Sequence, residues 1–443
     1  MVKGASTMQR IANYFKFDEL GTNFRKETLA GLTTFVSMAY ILFVNPQVLG
    51  ASGISQGAVF TATAFASAFG CALMGILANY PIAISASLGI NAFFAYSVVI
   101  GMKVPWQTAL AGVFVASLLF MVLTAFKLRE KVVDAIPRDL KMAISAGIGL
   151  FIAFIGLSQG GLVVADKSTV VTLGSLHVGS TWLTIFGLLV TLILMSAKIP
   201  GAIFIGMVAN SILGLATGLI AMPKHIVSAV PSIGSTFMVG FTHMTDINSV
   251  QLIVVVLTFL LVTFFDTTGT LVGLAEQAGL VKDNKLPRIG KALMADSSTM
   301  VVGSLLGTSP MGAFVESSAG IAVGGRSGFT AIVTAILFVF GAFFSPLLAV
   351  VTNQVTAPAL IIVGVLMAQS LKNIHWEKFE VAAPAFLIVL GMPLTYSISD
   401  GIALGFITYP LTMLAAKRGK EVGPMMYSLA VVFVIFLWIL NAN

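Results

Sequence analysis

Long apolar runs separated by short polar stretches dominate the chain. Apolar runs of about 20 residues recur from Thr28 to Leu440, and a run of that length can cross a bilayer as a helix. The pattern predicts an all-α polytopic membrane protein with fourteen transmembrane segments. In order, the predicted segments are 27–45, 58–78, 82–101, 105–126, 140–158, 180–197, 200–220, 249–275, 288–306, 308–324, 328–349, 355–371, 380–396 and 398–416.

Helix-breaking residues and the two chain ends complete this division. Segment 1 is predicted to end at Asn45-Pro46, because proline disrupts a helix interior. Residues 1–26 are polar and basic, so they are predicted to form a cytoplasmic arm with an interfacial helix rather than a signal peptide. A last apolar run, 425–441, either spans the membrane or lies in its interface.

Composition and charge agree with a membrane location. The chain is 58% hydrophobic and 9% charged, with a net charge of +7, whereas soluble domains contain about 25% charged residues. Of the 24 lysines and arginines, only Lys103, Lys167 and Lys224 fall in stretches predicted to lie outside the cell. This positive-inside bias predicts a cytoplasmic N-terminus in the cell membrane and gives no reason to expect a nucleic-acid partner.

Two segments, the third and the tenth, are interrupted by small and polar residues. Segment 3 contains SASLGINAFFAY, and the stretch Leu306 to Gly325 is LGTSPMGAFVESSAGIAVGG. Interrupted segments at matching positions of two halves are typical of inverted-repeat transporters, where they form the substrate site. The sequence therefore predicts a 7+7 inverted repeat with a substrate site between segments 3 and 10.

Three carboxylates lie well inside apolar segments: Asp266, Asp296 and Glu316. No Lys, Arg or His occurs at a comparable depth in the sequence, so all three are candidates for proton coupling. Glu316 is the first candidate for binding a substrate through its N–H groups, since a carboxylate accepts two hydrogen bonds side by side. The alternative is that Glu316 caps the short helix that begins near Ser317.

For the other candidate residues, the sequence allows both a functional and a structural role. Asp266 either contacts substrate or carries a proton, or it bonds to neighbouring hydroxyls such as that of Thr267. Asp296 either relays a proton or holds segment 9 against segment 8. Asn91 either binds the edge of a heterocycle or makes an interhelical hydrogen bond.

Aromatic and small residues near these groups complete the predicted substrate-binding set. Phe93, Phe94 and Phe314 either stack on a flat ring or belong to the core or the lipid-facing surface. The full predicted set is Glu316, Asp266, Asn91, Thr267, Phe314, Ala313 and Ser317.

Several motifs of other protein classes are missing from the sequence. There is no phosphate-binding Gly-Lys-Ser/Thr loop and no zinc-protease His-Glu pair, and the four histidines all fall in predicted loops. A transporter without catalytic residues, metal or cofactor is therefore predicted. An intramembrane enzyme and a channel are the alternatives from other classes.

At these motifs the chain resembles the AzgA-like purine permeases, a group within the nucleobase transporter superfamily. The resemblance extends over nearly the whole chain, and its segment-10 motif is specific. The matching stretches are FRKETLAGLTTFVSMAYILFVNP at 24–46, LGINAFFAY at 88–96, FDTTGTLVG at 265–273, AFVESSAGIAVGGRSGFTA at 313–331, APALIIVGVLM at 357–367 and PLTYSISDGIALGF at 393–406.

The resemblance implies how the segments are used. Residues 27–126 and 249–349 would form a core domain, and 137–220 and 355–416 a gate domain. Short strands in segments 3 and 10 would pair beside the substrate. The resemblance also implies proton-coupled, elevator-like uptake of guanine or hypoxanthine, and of adenine next, by a homodimer.

The site residues implied by the resemblance are Asp266, Glu316 and Asn91. Uracil carriers of the superfamily place a Glu and a His in segment 8, whereas this chain has Asp266 without such a His, as the purine group does. An anion carrier for sulfate or bicarbonate shares the implied architecture and is the alternative within transport. A fixed negative charge at Glu316 would repel such a substrate.

Overall fold

The computed structural model describes residues 7–126, 136–247, 250–280 and 286–440. Not described are the side chains of 250, 251, 264–266, 268, 269, 272, 439 and 440. Eight helices of the described residues are long and apolar enough to cross a membrane. The protein is thus a multi-pass membrane protein, while the count of fourteen spans and the inverted repeat remain predictions.

An element of the structure coincides with each segment predicted in the first half of the chain. Two π-helical stretches, Met74–Ala78 and Phe93–Gly101, extend the helices α5 and α6. The elements are α1 (Thr7–Tyr14), α2 (Phe17–Leu20), α3 (Phe24–Met38), α4 (Ile41–Gly50), α5 (Gln56–Leu73), β1 (Ile84–Ala86), α6 (Leu88–Ala92), α7 (Trp106–Ala125), α8 (Arg138–Gln159), β2 (Val163–Asp166), β3 (Val170–Leu173), α9 (Gly179–Ser196) and α10 (Ala202–Ala216).

The second half has the same kinds of element. Its helices and strand are α11 (Val239–Thr242), α12 (Val250–Gln277), α13 (Ile289–Leu306), β4 (Met311–Ala313), α14 (Ser317–Ala322), α15 (Gly328–Gly341), α16 (Asn353–Ala368), α17 (Phe379–Thr395), α18 (Ile398–Ala415) and α19 (Pro424–Leu440). Short 3-10 helices cover Met244–Asp246, Ala342–Ala349, Gln369–Asn373 and Gly419–Glu421.

The prediction that segment 1 ends at Asn45-Pro46 is wrong. Helices α3 and α4 together form one apolar span from Phe24 to Gly50, and α4 continues through Pro46. Proline is tolerated in membrane helices where neighbouring helices and side chains compensate the lost backbone hydrogen bond. As a result Asn45 lies inside a helix, and it is fully buried.

The predicted short strands in segments 3 and 10 are confirmed. Strand β1 pairs with β4 in antiparallel orientation, with Ile84 opposite Ala313 and Ala86 opposite Met311. Every residue of both strands is buried. This buried two-stranded ribbon, called the central ribbon below, joins the two halves of the chain.

The helices pack mainly within two groups. In the first group α15 packs against α3 and α5, α13 packs against α5 and α7, and α12 packs against α7. In the second group α8 packs against α16 and α17, α9 against α10 and α16, and α18 against α17 and α19. Smaller contacts of α8 with α6 and α12, and of α4 with α16, connect the groups.

Elements that the charge pattern assigns to one membrane face contact each other. The Tyr80 hydroxyl donates to the Pro287 carbonyl at 2.6 Å, and Asn79 Nδ2 donates to the Phe15 carbonyl at 3.0 Å. The Phe15 ring also packs against Phe329, with ring centroids 5.6 Å apart. The N-terminal arm is thereby attached to the ends of α5 and α15.

Glu27 is a buried carboxylate that the sequence analysis did not identify. It accepts hydrogen bonds from the Thr22 hydroxyl at 2.7 Å, the Arg326 amide at 2.9 Å and the Ser327 amide at 3.2 Å. It also accepts from the amide and the hydroxyl of Thr330, at 3.2 and 2.6 Å. Since the first amides of a helix lack partners within it, Glu27 on α3 caps α15.

Candidate functional site

The β1–β4 ribbon is extended by one backbone hydrogen bond at each end. The Ser87 amide donates to the Pro310 carbonyl, and the Phe314 amide donates to the Ala83 carbonyl, both at 3.0 Å. The Ala83 amide donates to the Ser317 hydroxyl oxygen, also at 3.0 Å. Ser317, a predicted substrate ligand, is thus a structural contact of the ribbon.

Side chains of α5 satisfy the outer edge of β1. Cys71 Sγ donates to the Ile84 carbonyl at 3.4 Å and accepts from the Ile84 amide at 3.3 Å. The hydroxyls of Ser67 and Ser85 are 2.7 Å apart. Non-helical backbone at membrane depth requires such partners, because lipid offers none.

The candidate site lies where the chain leaves this ribbon. Because the strands are antiparallel, α6 and α14 start from opposite ends of the ribbon. Asn91 is in α6, and Glu316 directly precedes α14. Helix α12 packs against β4 and α14, which brings segment 8 to the end of the ribbon where Glu316 lies.

Glu316 is held by a residue that the sequence analysis missed. The Tyr40 hydroxyl donates to Glu316 Oε1 at 2.5 Å. The Glu316 side chain makes no capping hydrogen bond to α14. The alternative role of Glu316 as the side-chain cap of its own helix is therefore not what the structure shows.

Some of the residues around Glu316 are buried and one is exposed. Tyr40 is fully buried and Phe314 is 7% exposed, while Val315 is 55% exposed. The rings of Tyr40 and Phe314 are tilted against each other, with centroids 6.5 Å apart. Ala313 belongs to β4 and is 8% exposed. The carboxylate thus lies beside two aromatic rings at the border of an accessible region.

Asn91 belongs to a buried polar network centred on Asn45. Asn91 Nδ2 donates to Asn45 Oδ1 at 2.9 Å, and the Ser309 hydroxyl donates to the same oxygen at 3.2 Å. Asn45 Nδ2 donates to the hydroxyl oxygens of Thr63 and Thr308, both at 2.8 Å. The interhelical hydrogen bond considered as the alternative role of Asn91 is therefore present.

The amide oxygen of Asn91 differs from its nitrogen in having no hydrogen-bond partner among the described residues. Asn91 is fully buried, and among the residues that the structure describes, no donor lies within hydrogen-bonding distance of Asn91 Oδ1. A buried acceptor without a donor is costly and calls for an explanation. Asn91 therefore combines a structural hydrogen bond through its nitrogen with a buried oxygen that has no donor among the described residues.

The other predicted acids differ in how far the structure describes them. Asp266 is part of α12, but its side chain lies outside the described residues. Thr267 is buried, and its hydroxyl donates to the Thr263 carbonyl at 2.9 Å. Asp296 is fully buried on α13, whose main neighbours are α5 and α7 rather than α12.

Two of the predicted stacking residues belong to the core. Phe93 and Phe94 are at most 1% exposed. Their ring centroids lie 4.9 and 6.4 Å from that of Phe259 on α12. Of the three phenylalanines considered, Phe314 is the one that lies two residues before Glu316 and packs against Tyr40.

No metal centre is visible in the described part of the chain, which contains no group of three or more His, Cys, Asp or Glu side chains arranged to hold an ion.

Two residues of the site, Asn45 and Tyr40, were not identified from the sequence. Asn45 had a sequence signal, because an amide inside an apolar segment needs a partner. Tyr40 had none, since tyrosine is common in membrane segments.

Comparisons with known proteins give a consistent picture. Residues 25–404 match a family described as a Permease family. The chain is 56% identical to the guanine/hypoxanthine permease PbuG of Bacillus subtilis, over 96% of this chain and 98% of that protein. It is 40% identical to the adenine permease AdeP of Escherichia coli, over 99% and 98% of the two chains.

Solved structures share the fold at low sequence identity. The transmembrane domain of the cyanobacterial bicarbonate transporter BicA superposes with a TM-score of 0.59 at 15% identity, covering 89% of this chain and 97% of that one. The structure of SLC26A9 gives a TM-score of 0.60 at 11% identity, covering 93% and 70%. At such identities the likeness concerns the fold alone.

Proposed function

Because this chain belongs to the Permease family, we propose that it takes up purine nucleobases across the cytoplasmic membrane, guanine and hypoxanthine first and adenine next. The names of the PbuG and AdeP relatives support this substrate class. The observation that carries the proposal is the Glu316 carboxylate, which Tyr40 orients at the end of the central ribbon.

The chemistry of the site suits a purine. A purine ring presents N–H donors along its edges, and an ionised carboxylate has about four positions that accept hydrogen bonds. The Tyr40 hydroxyl occupies one of them. Asn91 adds a second acceptor, and the Phe314 ring provides an apolar face beside the carboxylate.

The transport cycle proposed here couples uptake to protons and moves one group of helices against the other. The two packing groups described above support a core domain of 27–126 and 249–349 and a gate domain of 137–220 and 355–416. Asp266, Asp296 and Glu316 are the proposed proton-coupling acids. The core is proposed to move elevator-like against the gate, with the N-terminus cytoplasmic and the gate forming a homodimer.

The fold match with bicarbonate and SLC26A9 transporters raises the alternative of an anion substrate. Among the residues that the structure describes, no Lys, Arg or His side chain is buried. Glu316 would therefore repel an anion without a buried cation to compensate for the repulsion. The charge of the site favours a neutral substrate with N–H donors.

The experiment that tests the proposal is uptake of radiolabelled hypoxanthine, guanine, adenine, xanthine and uracil into cells that lack their own nucleobase carriers. We expect saturable purine uptake that collapses when a protonophore is added. Glu316→Gln, which keeps the shape but removes the charge, should abolish it.

The matched control is Glu377→Gln, since Glu377 is exposed in a loop between α16 and α17. This variant should transport as the unmodified protein does. Absence of uptake of every base, with the protein verified in the membrane, would overturn the purine assignment. Labelled sulfate and bicarbonate would then test the anion alternative.

A further inference from the structure

The hydroxyl of Thr63 fixes the orientation of the Asn45 amide. Thr63 Oγ1 lies 2.7 Å from the carbonyl of Val59, one turn earlier in α5, and donates its proton there. A hydroxyl has a single proton, so Thr63 can only accept from its nearest side-chain neighbour, the Asn45 amide. That neighbour, 2.8 Å away, must therefore be the Nδ2 of Asn45 and not its oxygen.

This orientation is passed on to Asn91. With Nδ2 of Asn45 directed at Thr63 and Thr308, its Oδ1 faces Asn91 and the Ser309 hydroxyl. Opposite this acceptor Asn91 must present a donor, so its Nδ2 rather than its oxygen lies there, at 2.9 Å. The oxygen of Asn91 is left as the end without a donor among the described residues.

A single apolar span orients both candidate substrate-binding side chains. Tyr40 and Asn45 belong to the single apolar span Phe24–Gly50. Tyr40 holds Glu316 next to α14, and Asn45 holds Asn91 in α6. Both groups offer acceptor oxygens, so a ligand that binds to them must bring donors.

We propose that Asn45 is a positioning residue that holds Asn91 with its oxygen toward the substrate and thereby sets a preference for 6-oxopurines over adenine. Hypoxanthine carries an N–H at ring position 1, whereas adenine has a bare, hydrogen-bond-accepting nitrogen there. A fixed acceptor binds the first and repels the second. Once released, the Asn91 amide can turn and donate to adenine. This inference rests on the proposed purine transport.

The test is competition for bound radiolabelled hypoxanthine on purified protein in lipid nanodiscs, with unlabelled hypoxanthine and adenine as competitors. The measured quantity is the ratio of the two inhibition constants. We expect the unmodified protein to prefer hypoxanthine, and Asn45→Leu to lower that preference roughly three- to tenfold, the equivalent of one lost hydrogen bond. Thr63→Val should act in the same direction but less, because Thr308 still accepts from Asn45.

The matched control is Thr258→Val. Thr258 is fully buried, and its hydroxyl makes the same bond to the carbonyl one turn earlier, that of Val254 at 2.9 Å. It should leave the ratio unchanged. A purely structural role of Asn45 would weaken both competitors equally, so an unchanged ratio in both Asn45→Leu and Thr63→Val would overturn the inference.

Two further outcomes of the competition experiment also test the inference. If the unmodified protein binds hypoxanthine and adenine equally well, the proposed preference is absent and the inference is wrong, while purine transport stands. If it binds no purine, the proposed function itself fails. Thr63→Val keeps the side-chain shape, so it supplies the answer where Asn45→Leu does not fold.

Discussion

The Tyr40 hydroxyl donates a 2.5 Å hydrogen bond to Glu316 Oε1, across 276 positions of sequence. It ties the first apolar span of the chain to the residue that precedes α14. Hydrogen bonds to charged groups contribute about 1.5–3 kcal/mol. The orientation of the proposed substrate ligand thus depends on a residue in the other half of the chain.

Replacing Tyr40 by Phe should weaken substrate binding while leaving the protein folded. The ring remains, but Glu316 loses its donor, so we expect the KM for hypoxanthine uptake to rise roughly tenfold or more. Tyr80→Phe is the control, since the Tyr80 hydroxyl bonds to the Pro287 carbonyl away from the site. Equal KM values for Tyr40→Phe and Tyr80→Phe would contradict the role of Tyr40.

Replacing Glu27 by Gln should lower stability. Glu27 is fully buried and accepts from amides and hydroxyls only, so the NH2 group of Gln would face donors. A loss of about 2 kcal/mol is expected from the broken hydrogen bonds. Thermal unfolding of the solubilised protein measures it, with Glu377→Gln as the exposed control. An unchanged melting temperature would show that the cap is dispensable.

Two substitutions of Cys71, which bonds to the outer edge of β1, should differ in their effect on stability. Cys71→Ala should destabilise the protein, because the amide and carbonyl of Ile84 lose their partner at membrane depth. Cys71→Ser keeps a donor and an acceptor and should retain more of the stability. Melting temperatures and hypoxanthine uptake of the two variants provide the measurement. If the alanine variant proves the more stable of the two, the sulfur is not a partner of the ribbon.

The hairpin of β2 and β3 offers a pH-dependent prediction outside the membrane segments. The amides of Thr169 and Ser168 and the Thr169 hydroxyl donate to Asp166 and lower the pKa of its carboxyl below the usual value. The ionised form therefore stabilises the turn at neutral pH. That contribution is lost as pH falls below about 4 and through the lowered pKa.

Hydrogen exchange checks this expectation. The protection of the Ser168 and Thr169 amides, corrected for the intrinsic rate at each pH, should stay constant down to about pH 4 and fall below it. In Asp166→Ala it should be low at every pH. Constant protection in the unmodified protein would mean that the carboxylate does not hold the turn.

The positions of the membrane helices could be predicted from the sequence because they depend on local composition. A run of apolar residues such as 105–126 specifies its own helix, and the structure has Trp106–Ala125 there. The short strands were implied by the family resemblance, whereas the interrupted segments by themselves indicated only that the helices are broken there. The end of segment 1 was misjudged because Pro46 breaks helices in water but is accommodated in this packed membrane helix.

Only part of the candidate site could be predicted from the sequence. Glu316 and Asn91 stand out as polar groups in apolar surroundings. Their partners Tyr40 and Asn45 depend on contacts between distant segments, which no local pattern specifies. Glu27 was overlooked because it lies at the polar beginning of a segment, where a carboxylate looks solvated, whereas α15 folds over it.

The β1–β4 ribbon also sets the order of events during biosynthesis. Ile84 pairs with Ala313, so the ribosome adds roughly 230 residues between them, which at about 5–20 residues per second takes roughly 10 to 50 seconds. Throughout this interval the amides and carbonyls of β1 that later pair with β4 have no strand partner, at a depth where lipid offers none. The central ribbon is therefore completed only after most of the chain has been made.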